Sequence, residues 1–148
     1  MREFRIEDTQ WIGRPIAEVF GFFGDPANLE RLTPPWLDFR VLDCSTEQIE
    51  EGSLIDYQLR LHGIPIRWRS LISAWEPTKR FVDEQVRGPY RTWHHTHTFE
   101  EVEGGVQVSD HVRYAVWGGA LVNRLFVRRD IEKIFDYRTQ ALAEVFGD

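Results

Sequence analysis

Apolar and polar residues alternate along the first dozen positions, from Glu3 through Phe4 and Ile6 to Ile12, the period of two that a half-buried strand requires. The period then lengthens. Pro15 suits the first position of a helix, and Ile16, Val19, Phe20 and Phe23 follow it at helical spacing. Asp25-Pro26 breaks that helix, a second turn runs through Leu29 and Leu32, and Pro34-Pro35 is expected to end helical structure outright. From Asp38 to Trp117 alternation returns in five or six stretches, punctuated at Gly52, Gly63, Gly88-Pro89 and Gly104-Gly105, which predicts an antiparallel meander. After Gly118-Gly119, about 27 residues run without Gly or Pro as far as Gly147. Leu121, Leu125, Ile131, Ile134, Phe135, Leu142 and Val145 make them one long helix. These elements bury their apolar surfaces most simply if the sheet curls around that last helix, so the expected class is α+β. No linker, repeat or low-complexity tract divides the chain, and residues 1–148 are read as one domain.

Alternation also exposes misfits, because a strand sends successive side chains to opposite faces. In the last strand Val106, Val108, Val112, Tyr114 and Val116 define the inner face, and Asp110 falls among them. One strand earlier, Trp93 and Phe99 share their face with His95 and His97. The stretch Phe81 to Arg87 is ambiguous by itself, and pairing must orient it. A hairpin turning about Pro89 sets Asp83 opposite His95 and Gln85 opposite Trp93; one turning just before Gly104 sets His97 opposite Asp110. Two adjacent His–Asp pairs result.

A carboxylate on an apolar face needs a partner, and imidazole supplies one. Such a cluster either fixes the shape of a cavity and holds a ligand's polar end, or transfers protons. Ile55, Tyr57, Leu59 and Leu61 on one strand and Trp68, Ser70 and Ile72 on the next are the remaining candidate liners. His95 and His97 with Asp83 or Asp110 also match a two-His, one-carboxylate metal set, but His-x-His is a weak signal and no metal or other cofactor is expected. Ser70 has no identified base and is read as a liner. In the helix, Arg128-Arg129-Asp130 and Glu132-Lys133 read as a solvated, salt-bridged face; Arg138, near the inner stripe, is assigned no function.

Composition narrows the partners. The net charge of -6 gives no overall attraction to nucleic acid or anionic membranes, so no nucleic-acid partner is expected. No apolar run reaches membrane-span or signal-peptide length, so integral membrane association is not expected and a cytoplasmic location is the default. One cysteine, Cys44, excludes an internal disulfide. Phosphate-loop, nucleophile-elbow and Cys–His signatures are missing. Oligomeric state is not legible.

Several segments together carry a resemblance: Pro15-Ile16-Ala17-Glu18-Val19-Phe20 with Asp25-Pro26-Ala27-Asn28-Leu29, Arg80-Phe81-Val82-Asp83-Glu84-Gln85 with Gly88-Pro89-Tyr90, and Trp93-His94-His95-Thr96-His97-Thr98-Phe99. Over nearly its whole length the chain resembles the START-like SRPBCC superfamily, in particular its bacterial polyketide cyclase/dehydrase-like and lipid-transport-like members. The resemblance implies a helix-grip fold: a seven-stranded antiparallel sheet around a long C-terminal helix, two small helices after the first strand, and an apolar cavity. That superfamily includes carriers, cyclases and enzyme subunits, so the fold does not choose a function.

The leading expectation is a carrier or sensor for a small hydrophobic ligand, lipid-like or aromatic. Its contacts would come from Tyr57, Leu59, Trp68, Asp83, Gln85, Trp93, His95, His97, Asp110 and Tyr114. The alternative is a cyclase, dehydratase or isomerase using a His–Asp pair as acid and base. A protein-interaction module would need an exposed apolar patch, for which Trp36, Trp75 and Trp117 are the candidates.

Overall fold

The computed structural model describes residues 2–147. Seven strands form one antiparallel sheet: β1 (Phe4–Ile12), β2 (Arg40–Cys44), β3 (Leu54–Leu61), β4 (Ile64–Glu76), β5 (Arg80–Arg87), β6 (Thr92–Val102) and β7 (Gly105–Ala115). Their spatial order is β1-β7-β6-β5-β4-β3-β2, so strands consecutive in the chain, β1 and β2, lie on opposite edges. The helices α1 (Ile16–Phe23) and α2 (Asn28–Arg31) lie in the connection between those edges.

Turn chemistry sets the registers. His62-Gly63 and Glu103-Gly104 both have positive φ at each position, the signature of two-residue primed hairpin turns that match strand twist. The second turn pairs Val102 with Gly105 and, further along the ladder, His97 with Asp110, as expected. Asp83 lies opposite His95, also as expected. Gln85 does not lie opposite Trp93: the β5–β6 ladder ends at Glu84 and His94, and Gln85 pairs instead with Ser70 of β4. Its amide turns to the connecting loop, donating to the Tyr90 carbonyl at 2.8 Å and accepting from the Tyr90 N–H at 3.1 Å.

The C-terminal stretch is helical throughout but not uniform. It comprises α3 (Gly119–Val122), a wider π-helical turn (Asn123–Val127) and α4 (Arg128–Phe146), closed by Gly147 in a left-handed conformation. Ile131, Phe135, Arg138, Ala141, Leu142 and Phe146 are its buried stripe. Two expectations are corrected along the chain. Leu121 and Leu125, counted among the apolar residues of one long helix, are exposed rather than on that stripe, and the π turn shifts the phase of the helix ahead of α4. Pro34-Pro35 does not end helical structure: Pro35–Leu37 forms a 3-10 turn, with the ring of Pro35 at a first-turn position where no N–H is needed.

The inner face of the sheet packs on α1 and α4 through two apolar clusters, one around Val19, Phe20, Phe99 and Leu142 and one around Ile6, Tyr114, Ile131 and Phe135. Among the described residues, no helix is long and apolar enough to cross a membrane. Trp75 is half-buried and packs against Phe20 and Phe81.

Candidate functional site

Between the concave face of the sheet, α4 and the α1–α2 connection lies a cavity of about 200 Å³. Its walls are largely aromatic, with Phe23, Phe39, Tyr57, Trp68, Phe81 and Trp93 contributing rings. Phe23 comes from α1 and Phe39 from the stretch just before β2; the other four come from β3 to β6, where large apolar residues recur at alternate positions. Two polar spots interrupt the wall. At one, Trp68 Nε1 donates to Ser70 Oγ at 3.0 Å and the Tyr57 hydroxyl lies 2.9 Å from the same oxygen. Burial pushes the Tyr57 phenol far up, so this spot is uncharged at neutral pH.

The second spot is a five-group cluster. Asp83 from β5, His95 and His97 from β6, and Arg138 from α4 line the cavity, with Asp110 of β7 behind them. Backbone pairing sets Asp83 against His95 and His97 against Asp110, yet the shortest side-chain contacts run diagonally. His95 Nε2 lies 2.8 Å from Asp110 Oδ1, and His97 Nε2 lies 2.7 Å from Asp83 Oδ2. The direct contacts are longer, 3.2 Å for His97 Nδ1 to Asp110 and 3.8 Å for His95 Nδ1 to Asp83. Arg138 Nη1 reaches Asp110 Oδ1 at 2.7 Å, completing the enclosure of a carboxylate that is only 4% exposed.

Charge follows from this geometry. A carboxylate can only accept, so a ring nitrogen beside one carries the proton. His97 Nε2 faces Asp83, and its Nδ1 faces both Asp110 at 3.2 Å and Arg138 Nη2 at 3.5 Å; burial opposes its charge, but the contacts with Asp110 and Asp83 outweigh burial and raise its pKa above the ordinary 6.5. His95 goes the other way, lowered by burial and by the neighbouring His97. Burial works against both carboxylates as well. Arg138, His95 and His97 nevertheless hold Asp110 well below its ordinary value, and His97 and His95 lower Asp83. Two carboxylates thus face one guanidinium and one imidazole, His97, that they hold toward its charged form, while His95 is held toward its neutral form. The rings form a stack, Phe81 on His97 at 3.9 Å and His97 on His95 at 3.6 Å between centroids.

Asp83, His95 and His97 offer ligand atoms that all lie within 4.8 Å of one another. A cation held there would have to displace the proton between His97 and Asp83. It would also have to turn one of two rings whose planes differ by only 19°, since stacked rings send their lone pairs side by side rather than to one point. Arg138 already supplies positive charge to the cluster, at Asp110. The arrangement as it stands shares protons.

Of the ten residues named from the sequence, Tyr57, Trp68, Asp83, Trp93, His95 and His97 line the cavity. Asp110 backs the histidines, Gln85 pins the Tyr90 loop, and Leu59 packs with Leu37 and Trp68. The Tyr114 hydroxyl donates to Asn123 Oδ1 at 2.6 Å, away from the cavity lining. Arg138 is the residue that sequence reasoning left without a role. Its signal was present: it falls four residues before Leu142 and seven after Ile131, a charged misfit on the helical period just as Asp110 is on the strand period.

Solved structures of this fold are numerous and distant in sequence. Protein CV1439 from Chromobacterium violaceum is 16% identical, with a TM-score of 0.77 over 98% of this chain and 99% of that one. The di-domain ARO/CYC BexL from the BE-7585A biosynthetic pathway is 18% identical, with a TM-score of 0.76 over 99% of this chain and 50% of that one. Major latex-like protein 151 from Panax ginseng is 12% identical, with a TM-score of 0.71 over 97% of both. No match was found among the curated proteins. A family model described as polyketide cyclase / dehydrase and lipid transport matches residues 3–147, almost the full length, and the chain belongs to that family.

Proposed function

We propose that the protein binds a small hydrophobic molecule of one or two rings, its apolar body against Tyr57, Trp68 and Trp93 and its polar end at the His–Asp–Arg cluster. The observation that carries this reading is a cavity with aromatic rings in its wall and a cluster of mutually paired carboxylate, imidazole and guanidinium groups at one end. Each carboxylate there already has a partner within the cluster, so a hydroxyl or carbonyl group suits it better than a charged ligand. Size supports the same class: a cavity of about 150 Å³ holds benzene, and 200 Å³ leaves room for a second ring or short substituents but not for a long acyl chain.

A thermal-shift screen of phenols, naphthols and cyclic ketones beside fatty acids tests it. A ring compound at a hundred times its Kd should stabilise the fold by about 2.7 kcal/mol. Stabilisation by fatty acids alone, or by nothing of this size, overturns the reading.

A second reading, a cyclase, dehydratase or isomerase, is favoured by one specific feature. His95 and His97 are adjacent in space with pKa values pushed apart, which supplies a neutral base beside an acid at one pH. Under this reading His97→Gln abolishes turnover of a bound ring compound while its Kd changes little; under the carrier reading the variant changes affinity only.

A further inference from the structure

The segment between Asp110 and Asp130 contains no carboxylate and four arginines, Arg113, Arg124, Arg128 and Arg129, in a chain whose net charge is -6. The same segment holds four large apolar side chains that face solvent: Trp117 at 65% exposure, Leu121 at 60%, Leu125 at 47% and Phe126 at 59%. Leu121 and Leu125 are four residues apart, as are Leu125 and Arg129 and also Arg124 and Arg128, so apolar and cationic residues share the outward side of α3 and the π turn. Two further arginines border it. The Arg91 guanidinium lies 4.5 Å from the Trp117 ring, and Arg2 lines a shallow groove with Leu121 and Arg124. Of the acids that follow the segment, Asp130 pairs with His62 at 2.9 Å and Glu132 with Arg128, one of the four arginines, at 3.9 Å. Among the described residues, Arg124 and Arg129 make no ion pair.

We infer that this surface docks on an anionic lipid membrane, with Trp117, Leu121, Leu125 and Phe126 entering the headgroup layer and Arg124 and Arg129 meeting lipid phosphates. Exposed aromatic and aliphatic groups ringed by arginine are what an interfacial segment requires, and tryptophan is suited to the headgroup depth. Charge complementarity selects this occupant over a second copy of the chain, because a twofold contact through the patch would set Arg124 and Arg129 against their own counterparts. The exposed apolar side chains select lipid over nucleic acid, because a headgroup layer takes them in and a phosphate backbone does not. The inference uses none of the cavity residues and stands apart from the ligand reading.

Co-sedimentation with vesicles of phosphatidylcholine, with and without phosphatidylglycerol, tests it at low ionic strength. Binding is expected only with phosphatidylglycerol present, accompanied by a blue shift of tryptophan emission that Trp117→Phe removes. Arg124→Gln with Arg129→Gln should weaken it about 25-fold, the product of roughly 5-fold for each arginine at an anionic surface. Leu125→Ser with Phe126→Ser should weaken it as well. All five substituted side chains are exposed, and an unchanged Tm separates these effects from misfolding. Absence of binding, equal binding to both vesicle types, or undiminished affinity in the double-arginine variant overturns the inference. So does a dimer in light scattering that Leu125→Ser dissolves, or binding of duplex DNA in preference to vesicles.

Discussion

Arg138 is the side chain on which the cluster's charge balance turns. It meets Asp110 at 2.7 Å in a setting where both are nearly sealed from water, so removing it strands a carboxylate. Arg138→Met is expected to cost about 3–5 kcal/mol in a urea titration, the range for breaking a buried ion pair from one side. Adding Asp110→Asn should restore part of that loss, and the double-mutant cycle should show coupling well above the scatter of independent sites. Protonation is the second observable at this level. Nitrogen chemical shifts of the imidazole rings at neutral pH should show His97 with both nitrogens protonated and His95 with one, since contacts with two carboxylates raise the former while burial and its charged neighbour lower the latter. Two rings titrating alike near 6.5 would refute the assignment.

The β6–β7 hairpin brings these side chains together, and its turn is a single sensitive point. Gly104 sits at φ 77, so Gly104→Ala should destabilise the fold by about 1–2 kcal/mol, measured by urea unfolding against Gly21→Ala, where nothing lies within 4 Å of the added carbon. This is also where the sequence was most legible. The two-residue Glu103-Gly104 turn fixes register by its own geometry, which is why the opposition of His97 to Asp110 could be read from spacing; that of Asp83 to His95 was read from the symmetry of a longer connection about Pro89. What followed from rotamers could not be read: the diagonal contacts His95–Asp110 and His97–Asp83 depend on how rings stack once the strands are paired. Gln85 escaped for a related reason, since a loop that offers a free carbonyl and N–H competes with the ladder. The exposure of Leu121 and Leu125 was hidden because a π turn changes helical phase without leaving a Gly or Pro in the sequence.

Taken as one molecule, the protein gathers its buried charges into a unit whose members titrate in opposite senses. Asp83 and Asp110 are depressed in the folded state, so their contribution is complete above the ordinary 3.8 and is lost as pH falls through their folded values. His95 is lowered, and contributes above 6.5 what it loses as pH falls below. His97 is raised: its contribution is full below 6.5 and is lost as pH rises through its higher folded value. Denaturant unfolding across pH should therefore show a decline on the alkaline side of 6.5 that disappears in His97→Gln and persists in His95→Gln. The five positions lie between residue 83 and residue 138, on three strands and a helix. Asp110 is matched by Arg138 and Asp83 by His97, so a descendant that exchanges one member of either pair strands the other, whereas one that exchanges both members does not. Through divergence each pair is bound to behave as one heritable character, its members changing in step or staying as they are.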